Sequence, residues 1–285
     1  MNSANSFPFY VVDFDPFAFR LPEGFFLEGV RWYGLSYLTG FVIALLLLNF
    51  YSAKKRSPLS KDDNSNLITY LLFGVIVGGR LGYMLLYNFQ NLCANPISLF
   101  QIWRGGMASH GGFVGVLLAT LLFARSRKTS FWTISDMIVT TATPGIFLGR
   151  IANFINGELW GKIAYLPWAM IFPRSAPCAA TPIEEIPPRH PSQLYEAFGE
   201  GLFIFLFLQY RFWRCNLPKG QVSGEFLVLY GIIRIICEIF REPDDGISLI
   251  FGLSRGSFYS IFCVVAGITI IAVARIVAKK SCYKK

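Results

Sequence analysis

Seven stretches of roughly 20 mostly apolar residues, the length an α-helix needs to cross the hydrocarbon core of a bilayer, limit what this chain can become. They cover residues 32–51, 67–87, 107–124, 131–148, 191–210, 222–240 and 257–277. The third and fourth are short and contain glycine, so their ends are the least defined. In lipid every backbone polar group needs an internal partner, which leaves helices as the solution for stretches of this kind. Composition agrees: 54% of residues are apolar and 15% charged, against about 25% charged in a soluble domain. A disordered chain, a disulfide scaffold and an ordinary soluble enzyme are excluded. The expectation is an all-α integral membrane protein, a single polytopic domain over residues 1–285 with seven transmembrane helices.

Loop charges give the orientation. One set of connections holds Lys54, Lys55, Arg56 and Lys61, then Arg125, Arg127 and Lys128, then Arg211, Arg214 and Lys219, and a tail with Arg275, Lys279, Lys280, Lys284 and Lys285. Only Asp62 and Asp63 clearly oppose them. The other set mixes Arg20, Arg31, Arg104, Arg150, Lys162, Arg174, Arg189, Arg241 and Arg255 with a similar number of acids, among them Asp13, Glu23, Glu158, Glu184, Glu242 and Asp244. Basic residues mark cytoplasmic loops, so the N-terminus is expected outside and the C-terminus in the cytoplasm. The same rule accounts for the net charge of +9 without nucleic acid as a partner. Residues 150–190, polar and rich in proline, read as a small extracytoplasmic head between spans four and five. No basic, then apolar, leader is apparent at the N-terminus. The six cysteines show no CxxC spacing and no zinc-ligand histidine nearby; Cys93 and Cys178, both expected outside, leave a bond between them open.

Charges inside the spans are functional candidates by default, because each is costly in lipid unless paired or hydrated. Arg80, between glycines in GGRLGY, reads either as a structural charge paired with a buried carboxylate or as a functional group. Arg234 has Glu238 four residues on, within pairing reach on one helix face; Glu196 and Glu200 share a face in the same way. In the expected orientation these groups, with His110 and Arg150, gather at the level of the outer leaflet, as a site fed from outside would require. His110 is one of two histidines and sits against Gly111 and Gly112, which let a substrate approach the backbone; a satisfied core histidine is the alternative. Arg150, Arg234 and Arg241, beside neutral donors such as Asn153 and Asn156, suit a lipid phosphate. The pairs Gly78/Gly82, Gly111/Gly115 and Gly145/Gly149 have the spacing of close helix packing.

The segment GRIANFINGELWG, residues 149–161, resembles the signature of the prolipoprotein diacylglyceryl transferases. WYGLSYLTGF from Trp32, GGRLGYMLLYNF from Gly78, GGMASHGGFVG from Gly105, RHPSQLYEA from Arg189 and YGIIRIICEIFREPD from Tyr230 match further family segments, in order, over nearly all of residues 32–259. The resemblance implies a multi-pass enzyme of the bacterial inner membrane with its active site toward the outer leaflet. Such an enzyme moves the sn-1,2-diacylglyceryl group of phosphatidylglycerol onto the lipobox cysteine thiol of a prolipoprotein signal peptide. A thioether forms and glycerol 1-phosphate leaves, in the first step of lipoprotein maturation, with no metal or organic cofactor. By position, Arg150 matches the lipid-binding arginine, Arg234 a second essential arginine, and His110 the proposed base. Tyr33, Asn153, Glu158, Gly161 and Glu238 match other positions the family needs. Ala152 stands where the motif would have glycine, and Gly256-Ser257 where Gly-Gln is common.

A chemical division of labour follows as an expectation. A thiol of pKa near 8.5 is mostly neutral at pH 7, so attack benefits from a base, here His110. Arg150 and Arg234 stabilise charge on the departing phosphate, and Glu238 holds Arg234. An anion transporter would also use intramembrane arginines, but transporters usually show repeats and broken helices, and this sequence shows no repeat. A structural scaffold would leave the gathering of polar groups at one level without a reason.

Overall fold

The structure, a computed structural model, describes residues 9–282 except 23, 25–27, 102–104, 179 and 244–249. Glu23, Arg104, Asp244, Lys284, Lys285 and the side chain of Cys282 therefore lie outside the described residues. The described residues are mostly helical, with two small two-stranded sheets among them. Contacts divide it into two compact units, Met1–Ile43 with Val139–Lys285, and Ala44–Ile138.

The strands are β1 (Tyr10–Val11), β2 (Phe17–Arg20), β3 (Gly29–Arg31) and β4 (Met170–Ile171). The helices are α1 (Trp32–Ala53), α2 (Lys61–Leu86), α3 (Phe89–Ala94), α4 (Ser109–Ser126), α5 (Phe131–Ile155), α6 (Ser192–Glu196), α7 (Ile204–Arg214), α8 (Gln221–Phe240) and α9 (Arg255–Cys282). A π-helical stretch, Ala197–Phe203, joins α6 to α7. Among the described residues five helices, α1, α2, α4, α5 and α9, are long and apolar enough to cross a bilayer. Stretches 191–210 and 222–240 also fold as helix. The first is divided by the π winding, and the second carries Glu225, Arg234 and Glu238. The protein is thus a multi-pass integral membrane protein built from helices.

In the smaller unit α2 starts with a capping box: Ser60 accepts from the Asp63 amide, and the Asp63 carboxylate accepts from the Ser60 amide. Two orphan donors are satisfied there. Asn64, fully buried, donates to Asn49 Oδ1 at 3.0 Å and Ser52 Oγ at 2.9 Å, tying α2 to the end of α1. α2 and α4 then meet backbone to backbone. A Cβ on Gly115 would fall 1.9 Å from Gly74 O, and one on Gly111 2.2 Å from Gly78 O. The expected packing role of Gly78/Gly82 and Gly111/Gly115 holds. The Gly145/Gly149 pair splits: Gly145 faces Gly40, while nothing approaches Gly149.

In the larger unit β1 runs parallel to β4, and β2 pairs antiparallel with β3. α8 and α9 pack through Gly224, Gly231 and Gly267; a Cβ on Gly267 would lie 2.6 Å from Gly224 O. Pro144 sits inside α5 and cannot donate to the carbonyl of Thr140. Gln209 of α7 fills that place, its Nε2 donating to Thr140 O at 2.9 Å. α5 runs seven residues beyond the apolar stretch that ends at Leu148, because IANFI continues its pattern. A Schellman turn then stops it: Gly157, at φ 60°, donates to Phe154 O (2.9 Å), and Glu158 donates to Asn153 O (3.1 Å). Arg150 and Asn153 are therefore helical, and the connection toward α6 begins at Asn156.

Candidate active site

Six charged side chains of the larger unit converge. α5 presents Arg150 from its penultimate turn, and α6 ends on Glu196. The π stretch carries Glu200. α8 carries Arg234 and, one turn on, Glu238; Arg241 follows directly after α8. Glu196 is the hub. Its carboxylate is fully buried and lies 2.8 Å from Arg150 Nη1, 2.5 Å from Arg234 Nη1 and 3.3 Å from Arg241 Nη1. Glu200, equally buried, takes Arg150 Nη2 at 2.8 Å and Nε at 3.2 Å, and Arg234 Nη1 at 3.4 Å. Glu238 closes the far side of Arg234, at 2.7 Å from Nη2.

Three guanidinium groups thus face three carboxylates, and the formal charges cancel. Neutrality lets the group exist away from water, since an unpaired buried charge costs several kcal/mol. The contacts are not all saturated: Glu196 Oε2 and Glu238 Oε2 are ion-paired but make no aligned hydrogen bond. Glycine makes room for the cluster. A Cβ on Gly256, in the first turn of α9, would lie 2.8 Å from Glu238 Oε2, and one on Gly201 would strike Phe147 of α5. Tyr230 and Tyr37 lie within electrostatic reach of Arg150. Tyr33, one turn before Tyr37, packs against it with the rings tilted, centroids 5.3 Å apart.

The rest of the GRIANFINGELWG segment fixes the exit of α5. Asn153 Nδ2 donates to Glu158 Oε1 at 2.7 Å, and Asn156 Nδ2 reaches the same oxygen at 3.5 Å. Their amides thus serve Glu158. Gln193 and Ser192 donate to the carbonyls of Glu158 and Leu159, and Arg174 to that of Asn156. Gly161 is pressed between His190 and Phe240; a Cβ there would lie 2.5 Å from His190 O and 2.7 Å from Phe240 O. Its amide donates to His190 O, and Lys162 N to Phe240 O. The segment between α5 and α6 is thereby sewn to the end of α8, next to Arg241.

His110 belongs to the smaller unit. It is exposed in the first turn of α4 and lines one end of an apolar groove of about 800 Å³ between α2 and α4. Arg80, in the same unit, pairs with no carboxylate among the described residues. Its partners are main-chain carbonyls, because the loop before α4 folds over it. Glu196 and Glu200 carry roles the sequence reading left unassigned. Their signal was present, two carboxylates one turn apart in an apolar helix of a chain with two intramembrane arginines. The described cysteines, Cys93 and Cys178 included, are free thiols.

Comparison with known proteins bears on the whole of this arrangement. The profile of the prolipoprotein diacylglyceryl transferase family matches residues 17–273. The phosphatidylglycerol–prolipoprotein diacylglyceryl transferase of Aeromonas salmonicida is 44% identical over 254 residues, covering 89% of this chain and 87% of that protein. Those of Proteus mirabilis and Rhodospirillum rubrum are 45% and 44% identical, over 84% and 86% of this chain and 86% and 88% of theirs. A match of this extent leaves one assignment: the chain belongs to the prolipoprotein diacylglyceryl transferase family.

Proposed function

We propose that this protein transfers the sn-1,2-diacylglyceryl group of phosphatidylglycerol to the lipobox cysteine thiol of prolipoprotein signal peptides. The observation that carries the reading is the arginine cluster, which the family's signature segment supplies with Arg150. A guanidinium fork held by carboxylates is equally able to hold a phosphate. Arg150, Arg234 and Arg241 are the lipid-phosphate ligands in this reading, and Tyr33, Asn153, Glu158 and Gly161 shape the substrate site around them. Glu238 keeps Arg234 in place.

The thiol sulfur attacks the glyceryl carbon that bears the phosphate, and a C–S bond forms as the C–O bond breaks. Glycerol 1-phosphate departs with the electron pair. His110 takes the thiol proton, and the arginines stabilise the growing charge on the phosphate in a setting of low dielectric. The enzyme lies in the bacterial inner membrane with seven spans and its N-terminus outside. Residues 150–190 lie on the outer face, and the site opens toward the outer leaflet.

A lipobox peptide incubated with purified protein and phosphatidylglycerol tests the reading by mass spectrometry. Wild type is expected to add a diacylglyceryl mass and Arg150→Ala none. His110→Gln is expected to lose turnover while keeping lipid binding. Solute flux into liposomes without any mass gain would overturn the proposal in favour of a transporter.

A further inference from the structure

Arg80 is 5% exposed within α2, a helix apolar enough to span the membrane. Its guanidinium is satisfied by four main-chain carbonyls and no carboxylate among the described residues. Nε donates to Leu99 O at 2.9 Å, Nη1 to Gly106 O at 3.0 Å and to Gly105 O, and Nη2 to Ser98 O. The acceptors come from two places: the 3₁₀ turn Pro96–Phe100, and the two glycines that feed α4. The neighbours of Arg80 on α2 grip the same segment. Gly79 O accepts the amide of Ala108, the N-cap residue of α4, at 2.9 Å. Gly106, at φ 81°, lies so close to Tyr83 that a Cβ would fall 2.4 Å from its ring. One turn of α2 therefore holds residues 105–108, and two residues further on stands His110.

We infer that Arg80 is a positioning residue for His110. Its planar fork fixes the carbonyls of Gly105 and Gly106 and so sets where the first turn of α4 begins. This rests on the reading of His110 as the base. Arginine suits the task because five donors in a rigid plane satisfy several carbonyls at once; lysine offers three on a point charge. Methionine of similar length offers none, and leaves those carbonyls without donors in a place where that is costly.

The test uses the full-length enzyme with Arg80→Met and Arg80→Lys. The Arg80→Met variant is expected to lose about 100-fold in kcat, the cost of a misplaced group, with KM for phosphatidylglycerol within about threefold of wild type. Arg80→Lys is expected to recover part of the loss. Diethyl pyrocarbonate labelling of each histidine, read by peptide mass, gives a measure independent of activity. The His110 rate is expected to change in Arg80→Met while the His190 rate stays at the wild-type value. Wild-type kcat with an unchanged His110 rate overturns the inference. So does a lost kcat with an unchanged His110 rate, or a change at both histidines together, which would signal general unfolding. A changed His110 rate with wild-type kcat upholds the grip of Arg80 and instead sinks the base role of His110.

Discussion

Buried arginine is used in two ways in this protein. Arg80, in the smaller unit, is wrapped by main-chain carbonyls; Arg150 and Arg234, in the larger, are met by carboxylates. Carbonyls are part of the chain's own path, and an arginine bound to them acts as a fixed staple that no ligand can replace without unfolding the loop. Carboxylates hang on side chains and resemble phosphate in charge and geometry, so a guanidinium bound to them can exchange one anion for another. Polar acceptors of the first kind organise a structure, and those of the second kind make a site.

Removing Glu196 is the most direct way to break that contrast. Glu196→Ala leaves Arg150, Arg234 and Arg241 without their shared partner. Losing one side of a buried charge cluster is expected to cost about 3–5 kcal/mol and to abolish turnover. If the cluster exchanges anions, glycerol phosphate will raise the melting temperature of this variant more than that of wild type in detergent. An equal rise in both proteins would count against exchange. Gly115→Val comes next. A side chain there would strike the Gly74 carbonyl, and overpacking is expected to cost about 1–3 kcal/mol or more, visible as a lowered melting temperature.

Gln209→Leu is smaller. It strips the Thr140 carbonyl of the donor that replaces the missing Pro144 amide, at a cost of about 1 kcal/mol. The least effect concerns pH. Burial, helped by Lys162, holds His190 below its ordinary pKa of 6.5, so the folded state prefers the neutral ring that faces the Tyr195 hydroxyl. The unfolded chain takes up the proton first as pH falls. This contribution is whole above pH 6.5 and is lost as pH falls through the lower folded value. Melting curves between pH 7.5 and pH 5 are expected to show a slope that His190→Phe reduces, with the His190 contribution read at about 0.5 pH intervals.

Much of this was legible in the sequence. Apolar length alone locates the helices, because lipid offers the backbone no other partner. Arg234 and Glu238 meet because four residues make one turn, and the glycine rows of α2 and α4 advertise close packing through their spacing. Of the two readings of Arg80, the structural one takes another form than the carboxylate pair: among the described residues its acceptors are the carbonyls of Ser98, Leu99, Gly105 and Gly106, and no local pattern says which acceptors a distant stretch will present. The end of α5 was missed as well, since hydropathy fades at Leu148 while the hydrogen-bond ladder runs on to the Schellman turn at Gly157.

The sequence by itself determined that this is a multi-pass helical membrane protein and, through its motifs, which family it belongs to. It also placed arginines and glutamates within apolar helices, where they need partners. Only the tertiary structure decided the pairing between one helix and another. Glu196 serves three arginines, and the π-helical stretch that follows it carries Glu200, which meets Arg150 some fifty positions away in the chain. Local rules reach one turn along a helix, whereas the balance of three positive and three negative charges is set between helices, by which faces the close-packed glycines allow to meet.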